Sequence, residues 1–371
     1  MKIVITGSAG LIGQHIQYRL FSKADFECQI IGITHELFND KDHLTEILEH
    51  TDVLIHCAGI NRDSDEELET GNKLLAKNLV NALLKSSATP HLFYTNSIHT
   101  DSNTAYGRGK QLAHDIFTAW AEDNSANYTE LVLPHIFGEG GRPFYNSVVH
   151  TFCYQLTKSE PLKIDSGGQL ELIHAQAIPI AIIDAIHKRH HGQLRLIGKR
   201  ISVAEVAGKL ISMHREYTSG IVPDLRNHFE LDLFNTLRSY MYPDFYPRLL
   251  DLHTDERGSL FEAIKNLNGG QVFLSTTKPG ITRGNHYHLH KVERFLVVRG
   301  SAIIRIRRLF EESVLEFNVC GDTPCYIDMP TFHTHSITNT GTDELLTLFW
   351  SHEIFDPNDS DTFYEPVLSH T

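Results

Sequence analysis

The first half of the chain alternates short apolar runs with longer segments of helical periodicity, and this alternation constrains the fold more than any other feature. Apolar runs without polar alternation are typical of strands buried on both faces, and their alternation with helices is typical of parallel βαβ units. The predicted strands span residues 2–6, 29–34, 53–57, 91–95 and 130–134, and the predicted helices span residues 11–20, 66–85 and 105–121. The sequence therefore predicts an α/β domain built around a parallel sheet.

The second part of the chain follows a different pattern. Two further helices are predicted at residues 203–214 and 231–240, and the segment 242–247, rich in Pro, Tyr and Phe, predicts a packed linker. Short β-rich runs separated by turn residues then follow at residues 271–276, 295–299, 302–308, 314–320, 336–338 and 345–350. Such runs are typical of a small all-β barrel or jelly roll. We expect two domains, residues 1–245 and 246–371.

A glycine-rich turn links the first predicted strand to the first predicted helix. It reads Gly7-Ser8-Ala9-Gly10-Leu11-Ile12-Gly13. Gly7 permits a tight turn, Gly10 lets the backbone approach a pyrophosphate, and Gly13 lets the helix pack close to the strand. The N–H groups of the first helical turn, which includes Leu11 and Ile12, favour an anion. We therefore predict that these residues bind a dinucleotide cofactor.

A phenol, an ammonium group and a hydroxyl are spaced for chemistry at a carbonyl group. Tyr106 and Lys110 lie one helical turn apart and hence on one face. A neighbouring cation stabilises a phenolate, so we expect Lys110 to lower the pKa of Tyr106 and let the phenol pass a proton near neutral pH. Ser97, just past a predicted strand end, is expected to hydrogen-bond the substrate carbonyl, with nearby Thr95 as an alternative.

The glycine spacing, with Ala58 and Gly59 after the third predicted strand, resembles the extended short-chain dehydrogenase/reductase family. The resemblance implies a Rossmann fold, a nicotinamide cofactor and a catalytic set of Ser97, Tyr106 and Lys110. Ala58 and Gly59 are then expected to lie against the cofactor, together with Tyr106 and Lys110.

The end of the second predicted strand indicates which cofactor is used. An acidic residue there would bind the ribose 2′-hydroxyl of NAD. Thr34 and His35 occupy this position, which favours NADPH, although Glu36 is an acidic alternative. Arg62 is expected to help neutralise the 2′-phosphate, unless it is a solvated loop cation.

Metal-ligand residues cluster near the end of the chain. The spacing of Gly280, His286, His288, Glu293 and Gly300 matches the first motif of the cupin family. Alternate residues of a strand point to one side, so His286 and His288 can share an ion, and Glu293 on the next strand can add a carboxylate.

A second cupin motif follows, with a departure. Pro330, His335 and Asn339 resemble it, and His335 offers a fourth ligand, but Phe332 stands where the motif usually has glycine. The ligand set suits several divalent metals, including Mn, Fe and Ni, and zinc is the ion we predict.

Residues 255–262 and 282–286 are similar to cupin epimerases of nucleotide-linked 4-keto-6-deoxy sugars. In that resemblance the histidine matching His286 is the base, which conflicts with its role as a metal ligand. Either His286 binds the metal and His290 or His333 abstracts the proton, or His286 takes both roles in different branches of the family.

Over nearly its whole length the chain resembles the bifunctional reductase/epimerase family of capsular polysaccharide biosynthesis. The supporting segments are residues 58–62, 145–148, 151–154 and 356–358. The resemblance implies that the cupin domain epimerises carbon 3 of a UDP-4-keto-6-deoxy-N-acetylhexosamine. The Rossmann domain then reduces the 4-ketone with NADPH, which gives a UDP-N-acetyl-6-deoxy-L-talosamine-type precursor of L-fucosamine.

Some substrate-binding positions depart from the family pattern. Val132 and His135 stand where Arg and Asn are usual, and Ala177 replaces an acidic residue, so another UDP-keto-sugar is possible. Arg142 and Tyr145 are candidate diphosphate or uridine contacts, or surface residues.

Composition restricts the partners and the compartment. The formal net charge of -13 disfavours nucleic acid and anionic membranes, because phosphate groups would be repelled over most of the surface. Five cysteines without a C-x-x-C pair indicate reduced thiols in the cytoplasm. We expect no signal peptide and no membrane span. A homodimer is expected, because both resembled families pair.

Two other functions remain open. In the first alternative, the chain is a single-activity NADPH-dependent UDP-sugar reductase with a structural cupin. In the second, it is a non-catalytic NADPH-binding regulator. The pair of Tyr106 and Lys110 argues against a regulator, since a sensor needs no proton donor.

Overall fold

The computed structural model describes residues 1–23, 26–100, 102–165, 167–256, 258–267 and 269–368, so Arg257 of the epimerase-like segment lies outside it. The helices are α1 (Leu11–Phe21), α2 (His35–Asn39), α3 (Lys41–Leu48), α4 (Asp65–Ser86), α5 (Ala105–Asp123), α6 (Val148–Thr157), α7 (Ala177–His187), α8 (Val203–Thr218) and α9 (His228–Met241). The early strands are β1 (Lys2–Thr6), β2 (Gln29–Ile33), β3 (Val53–His56), β4 (His91–Ser97), β5 (Tyr128–Leu133), β6 (His135–Phe137), β7 (Gln169–His174), β8 (Gly192–Arg195), β9 (Lys199–Ser202) and β10 (Ile221–Val222). The later strands are β11 (Arg248–Leu249), β12 (His253–Asp255), β13 (Gly258–Leu260), β14 (Lys265–Asn266), β15 (Gln271–Thr277), β16 (Thr282–Tyr287), β17 (Glu293–Arg299), β18 (Ser301–Arg308), β19 (Val314–Cys320), β20 (Cys325–Met329), β21 (His333–Asn339), β22 (Leu345–Ser351) and β23 (Phe363–Tyr364). None of the described helices is both long and apolar enough to cross a membrane.

Contacts divide the chain into two compact units. One comprises residues 1–151 and 164–206, and the other comprises residues 152–163 and 207–371. The second unit therefore contains α9 as well as the later strands. The domain boundary at residue 245 stays a prediction.

The first unit is built on a parallel sheet of order β2-β1-β3-β4-β5-β8. Alternate residues of β1 enter different cores, because successive side chains of a strand point to opposite faces. Ile3 and Ile5 pack with apolar residues of α1 and α7, whereas Val4 packs with those of α4 and α5. The predicted Rossmann-type α/β fold is confirmed, and the carboxyl ends of β1, β3 and β4 lie along one edge.

The second unit contains two antiparallel sheets, of orders β11-β20-β17-β22-β15 and β19-β18-β21-β16-β23. The predicted all-β region is thus confirmed. Arg294 on β17 and Asp328 on β20 are almost completely buried, and the guanidinium donates to both carboxylate oxygens, at 2.6 and 2.9 Å. Tyr217 of α8 also donates to Asp328. This network ties α8 to the sheet whose strand β17 begins at Glu293.

Candidate functional site

The glycine turn follows β1 and packs against the loop after β3. Gly7 has a φ of 67°, and a Cβ there would lie 2.7 Å from the backbone nitrogen of Ala58. A Cβ on Gly13 would lie 2.4 Å from the carbonyl oxygen of Gly7, so α1 approaches the turn as closely as predicted. The N-cap of α1 is a glycine without a capping side chain among the described residues. The N–H groups of the first turn, including Leu11 and Ile12, are therefore suited to bind an anion.

The other glycines of the predicted cofactor site lie around the same strand ends. Gly10 donates its N–H to the carbonyl oxygen of Gly7 at 3.0 Å, which closes the turn. Gly59 follows β3, and a Cβ there would lie 3.2 Å from Oδ1 of Asn72 and 3.8 Å from Nζ of Lys110. The glycine turn, Gly59 and Lys110 thus belong to one edge of the sheet.

The residues predicted to select the cofactor lie in two different parts of the first unit. Thr34 directly follows β2 and caps α2 by accepting a hydrogen bond from the N–H of Leu37 at 3.4 Å, and His35 begins the helix. Arg62 instead lies against the loop after β6, where it donates to the carbonyl oxygen of Phe144 at 2.7 Å. Thr34 and His35 occupy the predicted strand end, whereas Arg62 anchors a loop.

Helix α5 presents two side chains to the carboxyl end of β4. The side chain of Ser97 lies close enough to the phenol of Tyr106 to lower its pKa, and Nζ of Lys110 donates to the carbonyl oxygen of Thr95 at 2.7 Å. The hydroxyl of Thr95 donates to the carbonyl oxygen of His56 at 3.1 Å. Ser97 rather than Thr95 therefore has its side chain beside the phenol of Tyr106, and the structure brings the predicted set of three together.

Burial dominates the electrostatics of this set. It raises the pKa of Tyr106, and the hydrogen bond with Ser97 only partly offsets the increase. The expectation of a lowered pKa for Tyr106 is therefore wrong for the protein by itself, because the cost of burying the phenolate dominates. Burial also lowers the pKa of Lys110 to about 8, against the opposing effects of Cys57 and Glu130.

A histidine that no motif predicts lies beside Ser97, and its ring packs against a second histidine. His99 donates its N–H to Oγ of Ser97 at 3.2 Å, and its ring packs against that of His135 with the centroids 5.3 Å apart. Nδ1 of His135 is buried and lacks a hydrogen-bond partner within the described part of the chain. Burial lowers the pKa of His135, so its neutral ring can accept or donate a hydrogen bond. The departure from the family pattern at this position is the one sequence signal for it.

The four predicted metal ligands come together in the second unit. His286 lies on β16 and His335 on β21, Glu293 begins β17, and His288 directly follows β16. One ligand atom of each lies within 4.8 Å of the others. The Nε2 atoms of His286, His288 and His335 lie 3.9, 3.2 and 3.4 Å from Oε2 of Glu293.

The surroundings of the cluster fit a divalent cation. Nδ1 of His288 donates to the carbonyl oxygen of Asp361 at 2.6 Å, which leaves Nε2 directed at Glu293. A neutral ring nitrogen and a carboxylate oxygen both carry lone pairs, so their approach favours a proton or a metal ion between them. Nε2 of His335 is buried without a hydrogen-bond partner among the described residues, and burial lowers the pKa of His335 to about 3. Three imidazoles and one carboxylate are ligands that zinc accepts.

The three candidate bases are separated. His286 belongs to the ligand cluster. The half-exposed His290 has Nδ1 at 3.3 Å from Oδ2 of Asp361, and Nδ1 of His333 donates to the carbonyl oxygen of Thr331 at 2.7 Å. The choice among the three stays open.

Phe332 adopts the backbone conformation that a glycine would have at this point of the second cupin motif. Its φ is 61°, its side chain is almost fully buried, and its N–H donates to the carbonyl oxygen of His288 at 2.9 Å. The left-handed conformation is unfavourable for a phenylalanine, and burial of the ring offsets that cost. The turn is thus retained without the glycine.

Comparison with known proteins gives two family matches. The NAD dependent epimerase/dehydratase family matches residues 3–193, and the polysaccharide biosynthesis C-terminal domain matches residues 253–363. The first match covers the glycine turn and the Tyr106 helix, and the second covers the histidine cluster.

Individual relatives match nearly all or part of the chain. The capsular polysaccharide assembling protein CapF from Staphylococcus aureus has a crystal structure that is 30% identical, with a TM-score of 0.63 over 99% of this chain and 100% of that chain. A UDP-2-acetamido-2,6-beta-L-arabino-hexul-4-ose reductase from Pseudomonas aeruginosa is 29% identical over 98% of both chains. A UDP-N-acetylglucosamine 4-epimerase from Methanobrevibacter ruminantium shares the fold, at 17% identity and a TM-score of 0.54 over 65% of this chain and 98% of that chain.

Proposed function

The chain belongs to the NAD dependent epimerase/dehydratase family, and we propose that it is a bifunctional nucleotide-sugar enzyme of capsule synthesis. Its second unit epimerises carbon 3 of a UDP-4-keto-6-deoxy-N-acetylhexosamine, and its first unit reduces the 4-ketone. The reductase from Pseudomonas aeruginosa is named for a UDP-linked keto-sugar, which supports this substrate class.

The convergence of Tyr106, Ser97 and the buried Lys110 at the carboxyl end of β4 is the observation that carries the proposal. NADPH bound at the glycine turn would supply hydride to carbon 4. Tyr106 donates a proton to the 4-oxygen, and its raised pKa keeps the phenol protonated at neutral pH. Ser97 holds the same oxygen by a hydrogen bond. The ammonium group of Lys110 stabilises the phenolate that Tyr106 becomes after the transfer.

Epimerisation precedes reduction for a chemical reason. A proton on the carbon beside a ketone is acidic because the resulting carbanion spreads onto oxygen. A positioned base can therefore invert carbon 3 only while the ketone exists. Hydride delivery removes the ketone and traps the epimer. A chain that carries both sites therefore drives the two reactions in one direction.

The histidine cluster supports the epimerase step. His286, His288, Glu293 and His335 would hold a zinc ion, which supplies a Lewis acid for the ketone oxygen. Burial alone would raise the pKa of Glu293, but the three imidazoles beside it hold that pKa well below its usual value, so the carboxylate stays ionised. With His286 as a ligand, His290 or His333 is the base that removes the proton of carbon 3, and a proton returned to the opposite face completes the inversion.

Cofactor, assembly and compartment complete the proposal. We assign NADPH because a hydroxyl and an imidazole, Thr34 and His35, follow β2 where an acid would bind the ribose of NAD. Exposed Val272 and Leu274 on β15, at an edge of its sheet, support a homodimer. All five cysteines are free, as expected in the cytoplasm.

Proton NMR in deuterated water tests both activities. A UDP-4-keto-6-deoxy-N-acetylhexosamine is incubated with the protein first without NADPH and then with it. We expect deuterium to enter carbon 3 without cofactor, and the ketone to disappear after NADPH is added. Reduction without exchange would mean that the protein is a single-activity reductase. If neither reaction occurred, the proposal would be contradicted.

A further inference from the structure

The turn between β16 and β17 is wrapped around one carboxylate from the end of the chain. Oδ1 of Asp361 accepts a hydrogen bond from the N–H of Leu289 at 3.0 Å. Oδ2 accepts from the N–H groups of His290 and Lys291 at 2.9 and 2.7 Å. Asp361 is only 4% exposed, so these three bonds are made away from water and leaving them unmade would be costly.

The same residue holds the ring of a proposed metal ligand. The carbonyl oxygen of Asp361 accepts from Nδ1 of His288 at 2.6 Å, so Nδ1 carries the proton and Nε2 faces Glu293. A histidine that ligates through one nitrogen commonly donates its other N–H in this way, which fixes the tautomer and the ring orientation.

The backbone around Asp361 is adapted to this double contact. Its φ is 41°, in the left-handed region that few residues other than glycine adopt, and aspartate tolerates it better than most. On one side, Ser360 accepts a hydrogen bond from Nζ of Lys291. On the other, β23 pairs with β16, so that Tyr364 lies opposite His286. The end of the chain thus runs along the strand and turn that carry two of the four proposed ligands.

We propose that Asp361 is a positioning residue for the metal site. Its carboxylate fixes the turn 288–291, and its carbonyl oxygen fixes the His288 ring with Nε2 towards Glu293. The inference rests on the proposed metal site and goes beyond it, because it assigns a role to a residue outside the ligand set. The proposed metal site is then incomplete without residues 360–364.

The first test observes the His288 ring directly. In protein labelled with ¹⁵N-histidine, the Nδ1–H of His288 should give a signal protected from solvent exchange, assigned by its loss in His288→Gln. Asp361→Gly keeps the carbonyl and the backbone conformation but removes the carboxylate, and we expect this signal to broaden or disappear. Asp361→Asn keeps one acceptor oxygen and should retain part of the Nδ1–H signal. Asp359→Gly removes a charge from an exposed position nearby and should change nothing.

The second test measures zinc affinity by competition with a chelator. Removal of a partner that orients a ligand typically weakens metal binding by about 10-fold to 100-fold. We expect a loss of this size for Asp361→Gly, a smaller one for Asp361→Asn and none for Asp359→Gly. An Asp361→Gly protein with an unchanged His288 signal and unchanged zinc affinity would overturn the proposal. If Asp361→Gly fails to fold, the His288 signal and zinc affinity of Asp361→Asn are compared with those of the wild-type protein, and no change in either would overturn the proposal.

The two tests separate this inference from the proposed function. A wild-type protein that binds no zinc would contradict the proposed metal site. The His288 signal would still show whether Asp361 orients the ring, because Nδ1–H is present whatever Nε2 binds.

Discussion

At the scale of single residues, backbone carbonyls orient the key side chains of both candidate sites. The carbonyl oxygen of Thr95 holds Nζ of Lys110, and that of Asp361 holds Nδ1 of His288. Both bonds are buried, where hydrogen bonds are stronger than in water. The two side chains therefore have one preferred orientation before a ligand binds.

The buried Lys110 predicts the pH dependence of reduction. Burial lowers its pKa to about 8, so the ammonium group loses its charge as the pH rises through this value. The pKa of Tyr106 is raised, so the phenol is still protonated there. We expect kcat/KM for NADPH oxidation to be highest below about pH 8. Above that pH it should decrease, and the decrease should approach about tenfold per pH unit.

The measurement is a pH profile with saturating NADPH, with circular dichroism at each pH to show that the fold persists. A profile that stays flat up to about pH 10 would mean that the charge of Lys110 is not needed.

At the scale of elements, α4 and α5 pack backbone against backbone. A Cβ on Gly109 would lie 2.3 Å from the carbonyl oxygen of Leu68 on α4. Gly107 is equally confined, because a Cβ there would lie 2.4 Å from the carbonyl oxygen of Ser102. Glycines on either side of Arg108 thus let α5 sit deep enough for Lys110 to reach β4.

Gly109→Ala tests this close approach. The added methyl group forces α4 and α5 apart, and we expect the free energy of unfolding to fall by about 1–3 kcal/mol. Gly208→Ala on α8 is the matched control, since a Cβ there meets nothing within 4 Å. That substitution should raise the free energy by roughly 0.5–1 kcal/mol, because alanine favours a helix more than glycine does.

Urea denaturation of the two variants gives the comparison. Equal stabilities would show that the two helices do not approach as described. Gly109→Ala should also lower the reductase rate, because it displaces Lys110.

At the scale of the whole molecule, each of the two units carries one candidate site. Tyr106, Ser97 and Lys110 belong to the first unit, and the histidine cluster belongs to the second. Under the proposed order the second unit acts first and the first unit completes the reaction. The two activities should therefore be separable by substitution.

Paired variants test this division of labour. Tyr106→Phe removes the proton donor and should slow NADPH oxidation by about 100-fold or more, while carbon 3 exchange continues. His288→Ala should abolish exchange but leave reduction of a pre-epimerised keto-sugar intact. Both reactions are followed by NMR and NADPH absorbance, with circular dichroism as the control for folding. If each folded variant lost both activities, the assignment of one reaction to each unit would be wrong.

Elements with a clear local pattern were predictable, and others were not. The strands 2–6 and 314–320 have the predicted bounds, and α9 begins at His228 rather than residue 231 because Asn227 caps it. Helix α7 was not predicted, because its sequence is apolar on nearly every side and so lacks a helical period. In the described part of the chain, the short strands β6 and β7 pair with segments distant in sequence, so no local pattern predicts them.

The sequence by itself determined the fold class, and it named the residues of both sets that the structure brings together. Side chains two residues apart in a strand, or four apart in a helix, lie on one face, and this is a local property of the chain. It places His286 beside His288 and Tyr106 beside Lys110. Only the tertiary structure decided that burial raises the pKa of Tyr106, and that carbonyls of Thr95 and Asp361 orient the sites. Burial depends on residues distant in sequence, and every residue type has a carbonyl, so neither effect leaves a pattern in the sequence.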